Sequence, residues 1–136
     1  MPRRRTSRVE FEDDLGHVMV YHRHPNGGGL VSPRARVAES AWIADGAYVE
    51  PGAGVGPRAS VAAGGWIDVD ARVGADVVVG RNVHVGPRAD VGDGARLDPG
   101  SRLGADVRVA PRTHVLPDSI VAPGTVVTRR SLGIAA

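Results

Sequence analysis

The chain has 136 residues, enough for one domain, with 4% aromatic side chains and a formal charge of +2. It has no cysteine, and all 17 of its basic residues are arginine. That composition excludes disulfides, zinc–thiolate sites, thiol catalysis and lysine Schiff-base chemistry, and no apolar run approaches the ~18 residues of a membrane span.

Residues 1–8 read as a basic arm, with Arg3, Arg4, Arg5 and Arg8. Without those four charges the remainder carries −2, so the body of the protein is not basic. The arm lacks the apolar stretch of a secretory signal. The protein is expected to be soluble, in the cytoplasm or on a virion. From Val9 to Pro25, "VEFEDDLGHVMVYHRHP" contains two alternating runs, Val9/Phe11 and then Val18/Val20 or Met19/Tyr21, around Asp14-Leu15-Gly16. This predicts a β-hairpin. "NGGGL" follows as a flexible joint, so residues 9–30 form a cap and its connection.

From Val31 a six-residue beat begins. Aliphatic residues stand at Val31, Val37, Ile43, Val49 and every sixth position to Val127, and the position four later is small or valine throughout, from Ala35 to Ser131. Six is neither the helical nor the strand period. Within a triplet such as Ala89-Asp90-Val91, the outer two residues point one way and the middle one the other. The next three, Gly92-Asp93-Gly94, are turn formers, and proline recurs at the same place (Pro33, Pro51, Pro57, Pro87, Pro99, Pro111, Pro117, Pro123). Each hexad is thus a short strand and a corner, and three corners close an 18-residue coil. Residues 31–132 make about six such coils, and residues 133–136 are a short tail.

This pattern resembles the hexapeptide-repeat proteins, which form left-handed parallel β-helices and usually assemble as homotrimers. The expected fold is therefore all-β: a left-handed parallel β-helix capped by the N-terminal hairpin, which covers an otherwise exposed solenoid end. "HPNGGGLVSPRARVAESAWI" is similar to the start of stand-alone hexapeptide proteins of bacteria and their phages. The family's acyltransferases use a histidine base near a loop that leaves the coil, with the acyl-CoA between subunits. No such loop interrupts these hexads. The γ-class carbonic anhydrases of the family bind a metal through three histidines from two subunits. Here the coil offers only His84 and His114, 30 residues apart and on different faces.

Outward residues 18 apart stack on successive coils. One column reads Tyr48, Trp66, His84, Arg102, and another Trp42, Ser60, Val78, Arg96, His114. Outward aromatics mark a contact surface, so Trp42, Tyr48, Trp66, His84 and Arg102 are the candidate residues for subunit or partner contact, with a glycan platform as the alternative. Arg72/Asp90/Arg108 and Asp70/Arg88/Asp106 alternate in charge, so no basic stripe for nucleic acid is present. His22 and His24 share one side of a strand, a spacing that can bind metal, and the polar face of a hairpin explains it equally.

Two functions follow. The first is a non-catalytic trimeric β-helix without cofactor, acting as a structural or decoration protein in a larger assembly such as a phage capsid or tail. The second is a hexapeptide-repeat acyltransferase using acetyl-CoA, with His84 or His114 as base, or less favourably a γ-carbonic anhydrase-like metalloenzyme.

Overall fold

The computed structural model describes residues 7–128, so the arginines at positions 3–5, the final repeat position and the 133–136 tail lie outside the described residues. Two longer strands, β1 (Arg8–Glu12) and β2 (Val18–Arg23), precede seventeen two-residue strands from β3 (Leu30–Val31) to β19 (Val126–Val127), spaced every six residues. The short strands are distributed six, six and five over three parallel sheets. The chain therefore makes between five and six triangular turns. Among the described residues there is no helix, and none long and apolar enough to cross a membrane.

The hexad explains each turn. Strand amides donate to the following coil, as in Tyr48 N–H to Gly65 C=O at 2.9 Å and Glu50 N–H to Ile67 C=O at 2.9 Å. At the corner, Ala71 N–H bonds back to the Asp68 carbonyl at 3.1 Å, and Asp70 between them has φ 59. That bond and the positive φ at the third residue fit a type II turn. The third turn residue has positive φ at every sixth position from Gly46 to Gly124. All eight repeat prolines fall on the second turn residue, where the fixed proline φ is favoured.

The core is the interior of the prism. Ile43, Val49, Val61, Ile67, Val85 and Leu97 are wholly buried, with Ala41, Ala47, Ala71, Ala89 and Ala95 beside them. Burying each large aliphatic contributes ~1.5–3 kcal/mol. Val31, Ala35 and Val37, on the first turn, are only partly buried because no turn precedes them.

The hairpin joins this prism as an extension of one sheet. Strand β2 pairs antiparallel with β3, His22 opposite Val31 and Arg23 opposite Leu30. The predicted turn at Asp14-Leu15-Gly16 is held by Asp13, whose Oδ1 accepts from Leu15 N–H at 2.9 Å and His17 N–H at 2.8 Å. The glycine-rich joint, expected to be flexible, is pinned to the first turn instead. Gly29 N–H donates to Ile43 C=O at 2.8 Å, and Ile43 N–H to Asn26 C=O at 3.0 Å. Gly27 has φ 111, and a Cβ there would run into the Ile43 carbonyl. The glycines permit close backbone approach, and the approach covers the open edge at Ile43.

Candidate functional site

The column Leu30–Tyr48–Trp66–His84–Arg102–Ile120 runs up the outside of the first face. The strand registers carry that face onto the hairpin, where Phe11, Met19 and Tyr21 lie on the same side. Of these, Tyr48 and Trp66 with Phe11, Met19 and Tyr21 border a groove of about 490 Å³, which Glu50 also lines.

Three polar contacts, two on this face and one on the third, obey one spacing. An outward residue lies above the residue two positions past its counterpart on the preceding turn, sixteen residues back. Trp66 Nε1–H donates to Glu50 Oε2 at 2.8 Å; His84 Nε2 meets Asp68 Oδ2 at 2.9 Å; His114 Nε2 meets Asp98 Oδ2 at 2.6 Å. A carboxylate only accepts, so with a neutral imidazole the Nε2 carries the hydrogen and Nδ1 the lone pair.

The two histidine pairs differ in surroundings. Asp68 is held on both oxygens, since its Oδ1 accepts from Val69 N–H at 2.7 Å. The His84 ring stacks on Trp66, centroids 4.1 Å apart and planes 11° from parallel. His84 is therefore fixed by a carboxylate at one nitrogen and an indole on one face. Asp98 is shared, with Arg96 Nε 3.3 Å from its Oδ1, and His114 lies on another face far from the groove. His84 and His114 are thus not brought together within one chain.

The remaining candidates are placed as follows. Trp42 stands on the third face, half exposed, in line with Ser60 and Val78. Arg102 is on the turn after His84. His22 is exposed, whereas His24 is buried with Nε2 2.8 Å from the Ala41 carbonyl, which Asn26 Nδ2 also reaches at 3.1 Å. His24 thus serves the open end of the first turn, and the structure does not join it to His22. Among the described residues, no group of three or more His, Asp or Glu side chains is placed to hold a metal. Tyr21 is a site residue that pattern reading missed as such. It is nearly buried between hairpin and prism, and its hydroxyl donates to Glu50 Oε1 at 2.6 Å. Burial, and then the Glu50 carboxylate, push its phenol well above the ordinary tyrosine range.

The coil is three-faced and parallel, with an 18-residue repeat and inward valines. The fold is the hexapeptide-repeat left-handed β-helix. No protein-family model matches the chain, and no curated protein matches it. Among solved structures, this β-helix is similar to the acetyltransferase domain of PglB from Neisseria gonorrhoeae, solved with acetyl coenzyme A. Identity is 23% and the TM-score 0.55, over 79% of this chain and 56% of that one. A perosamine N-acetyltransferase variant from Caulobacter crescentus, in complex with CoA and GDP-perosamine, is 30% identical over 85% of this chain and 56% of that one, with a TM-score of 0.40. A hexapeptide transferase family protein from Anaplasma phagocytophilum is 17% identical over 72% and 68%, with a TM-score of 0.42. The β-helix described here spans little more than half the length of the two acetyltransferases.

Proposed function

We propose that this β-helix is an acyltransferase that takes its acyl group from acetyl-CoA, with His84 as general base. The observation that carries the reading is the His84–Asp68 pair, 2.9 Å apart, stacked on Trp66 at the edge of an aromatic groove. Asp68 holds the imidazole in one tautomer, so Nδ1 is the atom that takes a proton from an acceptor amine or hydroxyl. The freed nucleophile attacks the thioester carbonyl, the carbon–sulfur bond breaks, and the imidazolium returns its proton to the departing thiolate. Arg102, next in the column, offers a cation to the phosphates of the acyl donor. The PglB domain, which shares the fold, was solved with acetyl coenzyme A, and that supports the same donor here.

The test is calorimetric titration with acetyl-CoA, followed by thiol release in the presence of amino- and hydroxyl-bearing acceptors. One saturable site per protomer is expected, and His84→Asn should lower turnover by about 10²–10⁴-fold, the usual worth of a positioned base. Absence of both binding heat and thiol release would remove the acyltransferase reading. An unchanged rate in His84→Asn would remove His84 from the role and pass it to His114.

A second reading, a non-catalytic trimeric scaffold that decorates a larger assembly such as a virion, is favoured by two exposed apolar side chains on the third face. Trp42 and Val78 are 50% and 45% exposed there. It becomes the leading reading if acetyl-CoA does not bind.

A further inference from the structure

The acyl-transfer reading uses His84 and leaves the groove below it unexplained. Tyr21 sits between two other rings. Phe11 meets it at 5.8 Å with planes 73° apart, and Tyr48 at 5.9 Å with planes 80° apart. The rings are close to perpendicular in pairs, so they form walls and not a flat platform. Trp66 supplies a further wall one turn beyond Tyr48, and its indole is held in place by the bond to Glu50. Met19, opposite Phe11 in the hairpin, completes the lining.

Glu50 is the sole charged group among the lining residues. Both its oxygens accept from ring donors, Tyr21 O–H at 2.6 Å and Trp66 Nε1–H at 2.8 Å. Both donors are neutral, so they position the carboxylate without cancelling its charge. The groove is therefore lined by aromatic rings around one negative charge. Ring faces carry negative quadrupole potential and attract cations. With its oxygens already engaged, Glu50 acts through charge more than through direction. That suits a cation that has no N–H to donate. A sugar would need several free hydrogen-bonding groups, and Glu50, the sole charged group of the lining, already accepts from two ring donors.

We propose that this groove binds a quaternary ammonium group, as on a small choline-like molecule, through the exposed rings of Phe11, Tyr48 and Trp66 and the charge of Glu50, which the nearly buried Tyr21 holds in place. The proposal does not depend on acyl transfer. Its volume, about 490 Å³, holds a trimethylammonium head and leaves room for the rest of the molecule.

The experiment is a fluorescence titration of the full chain with choline chloride, at ionic strength held constant with sodium chloride. The control ligand is 3,3-dimethylbutan-1-ol, which has the same shape without the charge. Choline should bind saturably and at least about fivefold more tightly than the neutral isostere, the size expected of a cation against aromatic rings. Glu50→Gln should weaken choline to near the isostere and leave the isostere unchanged. Tyr48→Leu, which keeps apolar bulk and removes a ring, should act in the same direction, with thermal melting of each variant confirming that it is folded. Equal binding of choline and its isostere, saturation by methyl glycosides in place of choline, or no response to choline would each overturn the proposal. Choline binding without acetyl-CoA binding would sustain it while removing the acyltransferase reading.

Discussion

Ser101 and Thr113 stand where most other hexads place alanine or valine, at the small inward position beside the corner. They are 0% and 1% exposed, and neither hydroxyl has a hydrogen-bond partner. A buried hydroxyl without a partner costs ~1–3 kcal/mol. Valine occupies the same position at Val77, Val83 and Val107 and is fully buried there, so the site accepts its shape. Thr113→Val should therefore raise stability by about 1 kcal/mol and the melting temperature by a few degrees, read by calorimetry or circular dichroism. A lower melting temperature would mean that Thr113 has a partner, in water or in another subunit. The corner residues show a related tension. Arg58, Arg88 and Arg112 adopt positive φ, at 60, 59 and 59, where glycine is preferred. The alternation of glycine, asparagine, aspartate and arginine at these positions marks a turn in the sequence. Only the backbone shows that one conformation is imposed on all of them.

The hairpin is tied to the prism at two places, the β2–β3 pairing and the contact of Tyr21 with Glu50 and Tyr48. Tyr21 makes the second tie sensitive to alkali. Its phenol is raised above the ordinary value of 10.0 by burial and by the Glu50 carboxylate. The folded protein therefore holds this proton more tightly than the unfolded chain does. The resulting stability is fully present below the ordinary tyrosine range and declines as pH rises beyond it, since the unfolded chain ionises first. Melting temperatures measured between about pH 8 and 11 should fall more steeply in the native protein than in Tyr21→Phe, which cannot ionise there. Parallel curves would show that Tyr21 does not couple the hairpin to the coil. At this scale the sequence indicated the hairpin, through the alternation of Val9/Phe11 with Met19/Tyr21 around Gly16. It did not indicate that the hairpin would lay its aromatic side onto the outer face of the coil. That follows from the pairing of Arg23 with Leu30, a contact between segments that alternation cannot relate.

For the molecule as a whole, the three outer faces are not equivalent. The first carries the groove and the His84–Asp68 pair. The second carries Arg72, Asp90 and Arg108, alternating in charge. The third carries Trp42 and Val78 in one exposed line. Exposed apolar side chains on a regular face suit burial against another subunit, and a trimer as proposed would use this face. Sedimentation at micromolar concentration should give about three times the 14.1 kDa protomer mass, and Trp42→Asp should shift it toward the monomer by burying a charge at the contact. A monomeric native protein would reassign Trp42 to simple exposure.

The sequence by itself determined the coil. A hexad leaves two inward and one outward position per strand, and the αL corner takes glycine, asparagine or aspartate more readily than other residues, so one period carries both the core and the turns. It also determined which residues share a column, because columns are spaced by the 18-residue turn, and Tyr48, Trp66, His84 and Arg102 do stand in line. The acidic partners of Trp66, His84 and His114 were missed for the same reason: Glu50, Asp68 and Asp98 lie sixteen residues back, one turn less two, where a side chain leans across to the neighbouring corner. The pinned glycine joint, the burial of His24 and the groove beside Tyr21 were decided by tertiary structure alone. Each depends on how a non-repeating segment settles against the prism, and no periodicity relates that segment to the surface it meets.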